Sequence, residues 1–355
     1  MGRIFLYGII SDWGIQSKKP EKGKKKGTLL AVECSTFAFL SPVCLTDFPE
    51  NWYNTEEIEE KQKRRYFMSI KIVSDSSSNI FSAEGMNYTT VPMKIIAGER
   101  EFVDTPELNV QEMVDVLKNH KGKSGSSCPN VQEWLDAFEG DDDIIAITIS
   151  KNLSGSYNSA LKAAEDFMEE HPGRNVFVLD SMSAGPEQFM LVEKIHQAIS
   201  QGDDFETVVA KVKEYQNTTH ILFCLESMTN LARNGRVNPA VAKIAGALGI
   251  RAVGDAENGQ IIPIHKPRGH KKAIQTLVDM MVERGLSEGS LVRIAHCFAQ
   301  QQAEDLKAAT QAKVPGCRFI IEPTTALCSF YAEIGGLMIG MEGAFNENNN
   351  NRNQE

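Results

Sequence analysis

The stretch Ile149-Ser150-Lys151-Asn152-Leu153-Ser154-Gly155-Ser156-Tyr157-Asn158-Ser159-Ala160 decides the fold. A short apolar run, residues 144–148, precedes it, and a helical pattern from Leu161 to Met168 follows it. This order predicts a strand, a hydroxyl-rich turn and then a helix from about Ser156 to Glu170. The free N–H groups at a helix N-terminus favour an anion, and serine hydroxyls add hydrogen bonds. The stretch therefore indicates a place to hold a phosphate or a carboxylate, without showing a catalyst.

The composition is that of an ordinary soluble protein. The chain has 355 residues, of which 42% are apolar and 24% charged, enough for two domains with their own cores. Its net charge of -10 argues against a nucleic-acid surface. The seven cysteines include no C-x-x-C pair, so a disulfide framework or a zinc site is not expected. A reducing compartment, the cytoplasm, is the expected location.

The two ends of the chain differ from the part between them. Residues 1–67 carry 11 Lys/Arg against 9 Asp/Glu, a net charge of +2, and hold a basic run and an interrupted apolar run. Glu33 would be costly in a bilayer, so we interpret this leader as a disordered or non-native extension ahead of a natural start at Met68. Residues 346–355 are Asn-rich and are expected to be disordered.

Between these ends, strand and helix patterns alternate. This alternation predicts an α/β protein of two domains, an N-terminal one over residues 68–217 and a C-terminal one over residues 218–345. We expect the first to hold a mostly parallel, doubly wound sheet and the second a mixed or antiparallel sheet. In the second half, Glu257-Asn258-Gly259 between two extended runs predicts a tight hairpin, and residues 239–248 predict a helix.

Serine-rich segments are expected to converge in the first domain. In open α/β sheets, ligands bind outside the carboxyl ends of the strands. Four such loops at one edge would form a polar pocket without a charged lining, although each loop taken singly is as easily a helix cap or a turn. Among their hydroxyls, Ser76 and Ser127 are candidate ligand-binding groups. The four segments are residues 74–79, 124–130, 154–156 and 180–185.

The order of several motifs resembles that of the DegV family over about residues 68–343. The run Leu153-Ser154-Gly155-Ser156-Tyr157-Asn158-Ser159-Ala160 is the most specific of them. The others are Val73-Ser74-Asp75-Ser76-Ser77-Ser78-Asn79, Val91-Pro92, Phe102-Val103-Asp104, Ser126-Ser127-Cys128-Pro129 and Asn234-Gly235-Arg236-Val237. The resemblance implies a protein that binds one long-chain fatty acid in a cleft between its two domains. It further implies a lipid-binding subunit, not itself an enzyme, that presents the carboxylate to a separate fatty acid kinase for acyl phosphate and phospholipid synthesis.

The resemblance also implies roles for individual residues. The head-group hydroxyls fall on Ser126 and Ser154, with the N–H of Gly155 as a further donor, and Arg236 corresponds to an arginine linked to engagement of the kinase. The chain departs from the family where many members have a His-x-Gly-Pro-Gly turn, because Cys328 stands at the position expected for the histidine. The ligand is a fatty acid, and neither a cofactor, a metal, a nucleic acid nor stable membrane insertion is expected.

An enzyme that acts alone on a small carboxylate or phosphate at the serine-rich pocket is the alternative. It has less support, because the chain has no G-x-S-x-G element, P-loop or G-x-G-x-x-G motif. The residues that line an acyl channel cannot be assigned from the pattern, and most apolar candidates are better explained as core. These candidates are Met113, Met182, Met190, Ile244, Ala245 and Met338.

Overall fold

A computed structural model describes residues 69–243 and 249–345. The predicted leader, the predicted tail and the second half of the helix predicted over residues 239–248 lie outside the described residues. In the part of the chain that the structure describes, no helix has the length and apolar character needed to cross a membrane.

Ten α-helices are present among the described residues. They are α1 (Val110–Asn119), α2 (Val131–Phe138), α3 (Ser156–Glu170), α4 (Pro186–Ser200), α5 (Phe205–Gln216), α6 (Thr229–Arg233), α7 (Pro239–Ala242), α8 (His270–Glu283), α9 (Gln300–Lys313) and α10 (Ala326–Ala332). Local capping explains several of the helix starts. Asn109 accepts a hydrogen bond from the N–H of Glu112, and Asn130 and Glu133 form a reciprocal capping box.

Thirteen strands in these same residue ranges form three sheets. They are β1 (Ile70–Asp75), β2 (Tyr88–Val91), β3 (Lys94–Ala97), β4 (Arg100–Val103), β5 (Ser124–Ser127), β6 (Asp143–Thr148), β7 (Val176–Asp180), β8 (Thr219–Leu225), β9 (Ala252–Glu257), β10 (Gln260–His265), β11 (Leu291–His296), β12 (Arg318–Pro323) and β13 (Leu337–Glu342). The strand orders are β2-β1-β6-β7, β10-β9-β8-β13-β11-β12 and β4-β3-β5.

The first sheet is parallel throughout and is covered on both faces. Trp134, Phe138 and Phe167 of α2 and α3 pack on one face. On the other face, Leu191 of α4 and Val208 of α5 belong to a second buried cluster. Because both faces are buried, the six residues of β6 are all buried, which explains the apolar run that marks this strand in the sequence. The predicted doubly wound parallel sheet is confirmed.

The second sheet is mixed, as predicted. Only the pair β11–β12 is parallel within it, and its other strand pairs are antiparallel. Helices α8 and α9 cover one face through a buried cluster that includes Leu277 and Leu306. The predicted hairpin is present as β9–β10, and Asn258 and Gly259 at its tip both have positive φ, 54° and 65°. This geometry is that of a tight two-residue turn.

The third sheet corrects one expectation. Ser124–Ser127, predicted as a loop at the edge of the first sheet, is the strand β5, and it pairs with β3 in register Lys94↔Ser127. The prediction of four serine-rich loops at one sheet edge is therefore wrong for this segment. The sequence analysis also did not predict α10, which lies between β12 and β13.

Candidate functional site

A buried carboxylate, Asp75, lies at the carboxyl end of β1 and organises the surrounding loops. Asp75 is fully buried and accepts hydrogen bonds from Ser156 Oγ (2.7 Å), Gln188 Nε2 (3.0 Å) and the Ile149 N–H (3.0 Å), with Ser77 also in contact. Burial raises the pKa of this carboxyl, and the donated hydrogen bonds partly offset that effect. Asp75 thus ties β1 to the start of α3 and to α4.

A second buried carboxylate, Asp104, holds the start of α10. It accepts hydrogen bonds from the N–H groups of Ala326 (2.8 Å) and Leu327 (3.1 Å) and from Ser76 Oγ (2.9 Å). Burial raises the pKa of Asp104, while those donors act in the opposite direction. An acidic group at a helix N-terminus is favourable, so Asp104 fixes α10 against the first half of the chain.

The loop that follows β6 forms a compact turn ahead of α3. The carbonyl of Ser150 accepts hydrogen bonds from the N–H groups of Leu153 (2.9 Å) and Ser154 (3.2 Å). Ser154 Oγ in turn accepts from the N–H of Ser156 (3.3 Å). Within the described residues, neither the O–H of Ser154 nor the N–H of Gly155 has an acceptor of its own. Two donors are therefore free at this point of the chain.

Two adjoining cavities lie beside that turn. The first, which we call the serine cavity, holds about 550 Å³ of space, and the second, the Phe223 cavity, about 530 Å³, both including space open to solvent. They share six lining residues, Leu153, Ala184, Leu231, Ile261, Tyr331 and Met338. Both are lined mainly by apolar side chains, and a lining of this kind suits an apolar ligand.

Hydroxyl groups stand at one end of this space. Ser126 and Ser154 line the serine cavity, and Ser126 Oγ lies 2.7 Å from Tyr331 Oη in a shared hydrogen bond. Gly155, at the N-cap of α3, directly follows Ser154 and is exposed. The structure thus brings two of the predicted head-group positions, Ser126 and Ser154, to one cavity and adds the phenol of Tyr331, whereas Gly155 lines neither cavity.

Arg236 also lines the serine cavity. Its Nε donates to the carbonyl of Leu153 (3.1 Å) and its Nη1 to the carbonyl of Asn234 (2.5 Å). Its guanidinium carbon lies 5.9 Å from the centroid of the Tyr331 ring. Within the described residues the Nη2 group has no acceptor, so part of this cation remains available to a ligand or a partner.

The other predicted site residues lie differently. Cys328 lines the serine cavity and is buried, and its thiol donates to the carbonyl of Ser77 (3.6 Å). Burial and the nearby Asp104 and Asp75 raise the pKa of Cys328, which keeps it a neutral thiol. Ser76 lines neither cavity, because its Oγ bonds to Asp104 and the N–H of Met93. Ser127 lines neither cavity and donates to the Cys128 carbonyl.

The apolar candidates divide into two groups. Met182 and Met338 line the Phe223 cavity. Met113 is buried in a core cluster elsewhere, and Met190 is almost completely buried and lines neither cavity. Ile244 and Ala245 lie outside the described residues. The expected polar pocket without charged groups is also corrected, since the serine-rich segments enclose Asp75 while the open space beside them is apolar.

Tyr331 was missed for a physical reason. It lies on α10, 205 residues from its partner Ser126, and nothing local to the sequence signals that contact. The available signal was the pattern of residues 326–332, in which six of seven residues are buried, as in a helix packed on all sides. Placing that helix would have brought both Tyr331 and Cys328 towards the serine turn.

A parallel sheet and a mixed sheet beside an apolar cavity, with serine hydroxyls in its lining, define a class of α/β ligand-binding proteins. Residues 69–342 match the family model described as "Uncharacterised protein, DegV family". A DegV domain-containing protein of Streptococcus gordonii is 37% identical over 280 residues, which cover 78% of this chain and 99% of the relative. The chain belongs to the DegV family.

Solved structures share the fold. The Streptococcus pneumoniae Fatty Acid Kinase (Fak) B3 protein, loaded with linoleic acid, is 36% identical with a TM-score of 0.76. A DegV family protein from Eubacterium eligens, loaded with heptadecanoic acid, is 35% identical with a TM-score of 0.75. Each similarity covers 78% of this chain and 100% of the other.

Proposed function

We propose that this protein binds one long-chain fatty acid in the adjoining cavities. The observation that carries the proposal is an apolar space lined by the hydroxyl of Ser154, whose O–H is free among the described residues and is followed in the chain by the free N–H of Gly155. The carboxylate accepts from these donors and from the Ser126–Tyr331 hydroxyl pair, and the acyl chain extends past Met338. The two relatives that carry linoleic and heptadecanoic acid support this ligand class.

The bound acid is presented to a separate fatty acid kinase, which forms the acyl phosphate used in phospholipid synthesis. The similarity to a protein described as part of a fatty acid kinase supports this role, and the sequence has no P-loop of its own. Neutral hydroxyl donors suit a carboxylate that has to react later, because no salt bridge fixes it. Arg236 at the cavity lies where it can meet the kinase or the new phosphate charge.

The location proposed for this function is the cytoplasm, where a kinase finds ATP. The five cysteines among the described residues are free thiols, as a reducing compartment requires. We also propose that the chain forms two domains. Residues 68–217 would hold the first and third sheets, and residues 218–345 would hold the second sheet. The cavity lining supports this, since it draws on residues from both ranges.

Native mass spectrometry of the full chain purified from a bacterial host tests the ligand. One stoichiometric fatty acid, identified after solvent extraction, is the expected result. A protein that is empty and also fails to bind added oleic acid would contradict the proposal. Turnover of an acyl or phosphoryl substrate without any partner would instead favour a stand-alone enzyme.

Two substitutions separate binding from presentation. Ser154→Ala should weaken fatty-acid binding by about 10- to 100-fold, since a hydrogen bond to a charged group contributes about 1.5–3 kcal/mol. Arg236→Ala should leave binding within about threefold and reduce phosphorylation by an added fatty acid kinase. Ser159→Ala, on the same helix but away from both cavities, is the matched control. Equal loss of binding in the Ser154 and Arg236 variants would contradict this division of roles.

A further inference from the structure

The β9–β10 hairpin reaches from the second sheet to the loop that follows β6. Ser150 Oγ donates to the carbonyl of Gly259 (2.7 Å), and Asn152 Nδ2 donates to the carbonyl of Asn258 (2.7 Å). The first of these hydrogen bonds is buried and the second is exposed. The tip of the hairpin is therefore fastened by two side chains that lie more than 100 residues before it.

The same hairpin forms a wall of the Phe223 cavity. Asp255, Ala256, Gly259 and Ile261 all line it, and Leu153 and Met182 line it from the other half of the chain. Any movement of the hairpin away from the loop would open the cavity along this seam. A wider opening of this kind would ease the entry and exit of a long apolar ligand.

The outer part of the hairpin lies at the edge of the second sheet. β10 is an edge strand that pairs only with β9, and its register with β9 shifts between Pro263 and His265. Gly254 is the partner of Pro263, and a Cβ on Gly254 would lie 2.9 Å from the Pro263 Cα. A glycine opposite a proline at a register shift is a place where two strands bend easily.

The backbone beneath the tip is strained. Met182 has φ of 51°, a left-handed conformation that is unusual for a residue with a long side chain. Its N–H donates to Asp180 (2.9 Å), and its Cα would lie 3.3 Å from a Cβ added to Gly259. The tip thus sits against a rigidly held segment, so only a glycine fits at this contact.

We propose that the Asn258-Gly259 tip is a latch that controls entry and exit of the apolar ligand, with the loop around Ser150 as its catch. The inference rests on the proposed fatty-acid site and adds how that site opens. The catch also carries the head-group donors, because the carbonyl of Ser150 holds the N–H of Ser154.

Gly259→Ala tests the latch directly. The added Cβ would lie 3.2 Å from Ser150 Cβ and closer still to its Oγ, so the tip has to lift from the catch. Stopped-flow fluorescence with cis-parinaric acid should show both the association and the dissociation rate constant raised by about tenfold, with Kd changed by less than about threefold. A barrier that is lowered for both directions has this signature, whereas a lost ligand contact raises dissociation alone.

Gly202→Ala is the matched control. Gly202 also has a positive φ, 82°, but its Cβ would meet open space. This variant carries the same backbone strain without touching the catch, and its rate constants should equal those of the wild type. The double variant Ser150→Ala/Asn152→Ala removes both donors without adding atoms and should accelerate both rates, whether or not Gly259→Ala folds.

Hydrogen exchange gives a readout that needs no ligand. Amides of residues 254–263 should exchange faster in Gly259→Ala and in the double variant than in wild type. Unchanged exchange and unchanged rate constants in the folded double variant would overturn the latch. A wild-type protein that binds no fatty acid, yet shows the faster exchange in the variants, would overturn the proposed function and leave the latch standing.

Discussion

Glu187, in the first turn of α4, couples folding stability to pH. Its side chain is buried, 4% exposed, and lies near Ser183 and Thr219. Burial raises the pKa of Glu187 from 4.5 to about 7, and the nearby hydroxyls of Ser183 and Thr219 act in the opposite direction. A helix N-terminus favours the carboxylate, so removal from water outweighs the helix dipole at this position.

The sign and size of the effect follow from this pKa. Because the pKa in the folded protein exceeds the unfolded value, folding takes up a proton, and the stabilisation is fully present below pH 4.5 and lost as pH rises through about 7. The difference between 4.5 and about 7 corresponds to about 3 kcal/mol. Glu187→Gln keeps the size of the side chain and is neutral at every pH, so it should be about 3 kcal/mol more stable than wild type above pH 8.

Urea unfolding of the wild type and of Glu187→Gln between pH 5 and 8.5 measures this difference. The free energies of unfolding should be similar at pH 5 and diverge as the pH rises. Asp75, Asp104 and Glu322 also have pKa values raised by burial, but they are common to both proteins and cancel in the difference. Glu169→Gln, at an exposed position, is the control. A difference that stays constant with pH would refute the reasoning.

Two further substitutions test the role of Asp104 and the extent of the cavities. Asp104→Ala leaves the N–H groups of Ala326 and Leu327 buried without an acceptor, so the free energy of unfolding in urea should fall by about 3 kcal/mol or more. Asp104→Asn should lose less. A free energy of unfolding equal to that of the wild type would contradict the role of Asp104. In the wild type, each CH₂ added to the acyl chain of the ligand should lower Kd about fourfold until the cavities are full, because burial of one CH₂ contributes about 0.8 kcal/mol. Ala184→Phe, in the wall that both cavities share, should move that limit to shorter acids in a titration series, and an unchanged limit would place the acyl chain elsewhere.

Local signals in the sequence sufficed for much of the fold. β6 and α3 were predicted because an apolar run and a helical pattern are separated only by a short turn. The helix cap at Asn109 and the Asn258-Gly259 turn likewise depend on neighbouring residues alone. The strand β5 could not be predicted in this way. Ser124-Gly125-Ser126-Ser127 has weak β-propensity and is extended because β3 supplies its partner.

The candidate site was predictable to the extent that it is local. Ser154 and Gly155 belong to one strand–turn–helix unit, whose chemistry is visible in the chain itself. Tyr331 and the placement of Cys328 depend on the position of α10, which Asp104 fixes across more than 200 residues. The hydroxyls of Ser76 and Ser127 were predicted as ligand groups from residue type alone. The direction of a side chain depends on packing, and these two hydroxyls donate to Asp104 and to the carbonyl of Cys128 instead.

The long separation between Asp104 and α10 has a consequence for synthesis. The carboxylate of Asp104 and the N–H of Ala326 lie 222 residues apart in the chain, and loop closure over such a distance is slow. The first sheet can form while the ribosome is still adding the second, because its strands all lie within residues 70–180. The cavity gains its last walls, Tyr331 and Met338, only near the end of translation. A nascent chain therefore acquires its scaffold early and completes the lining of its cavities late.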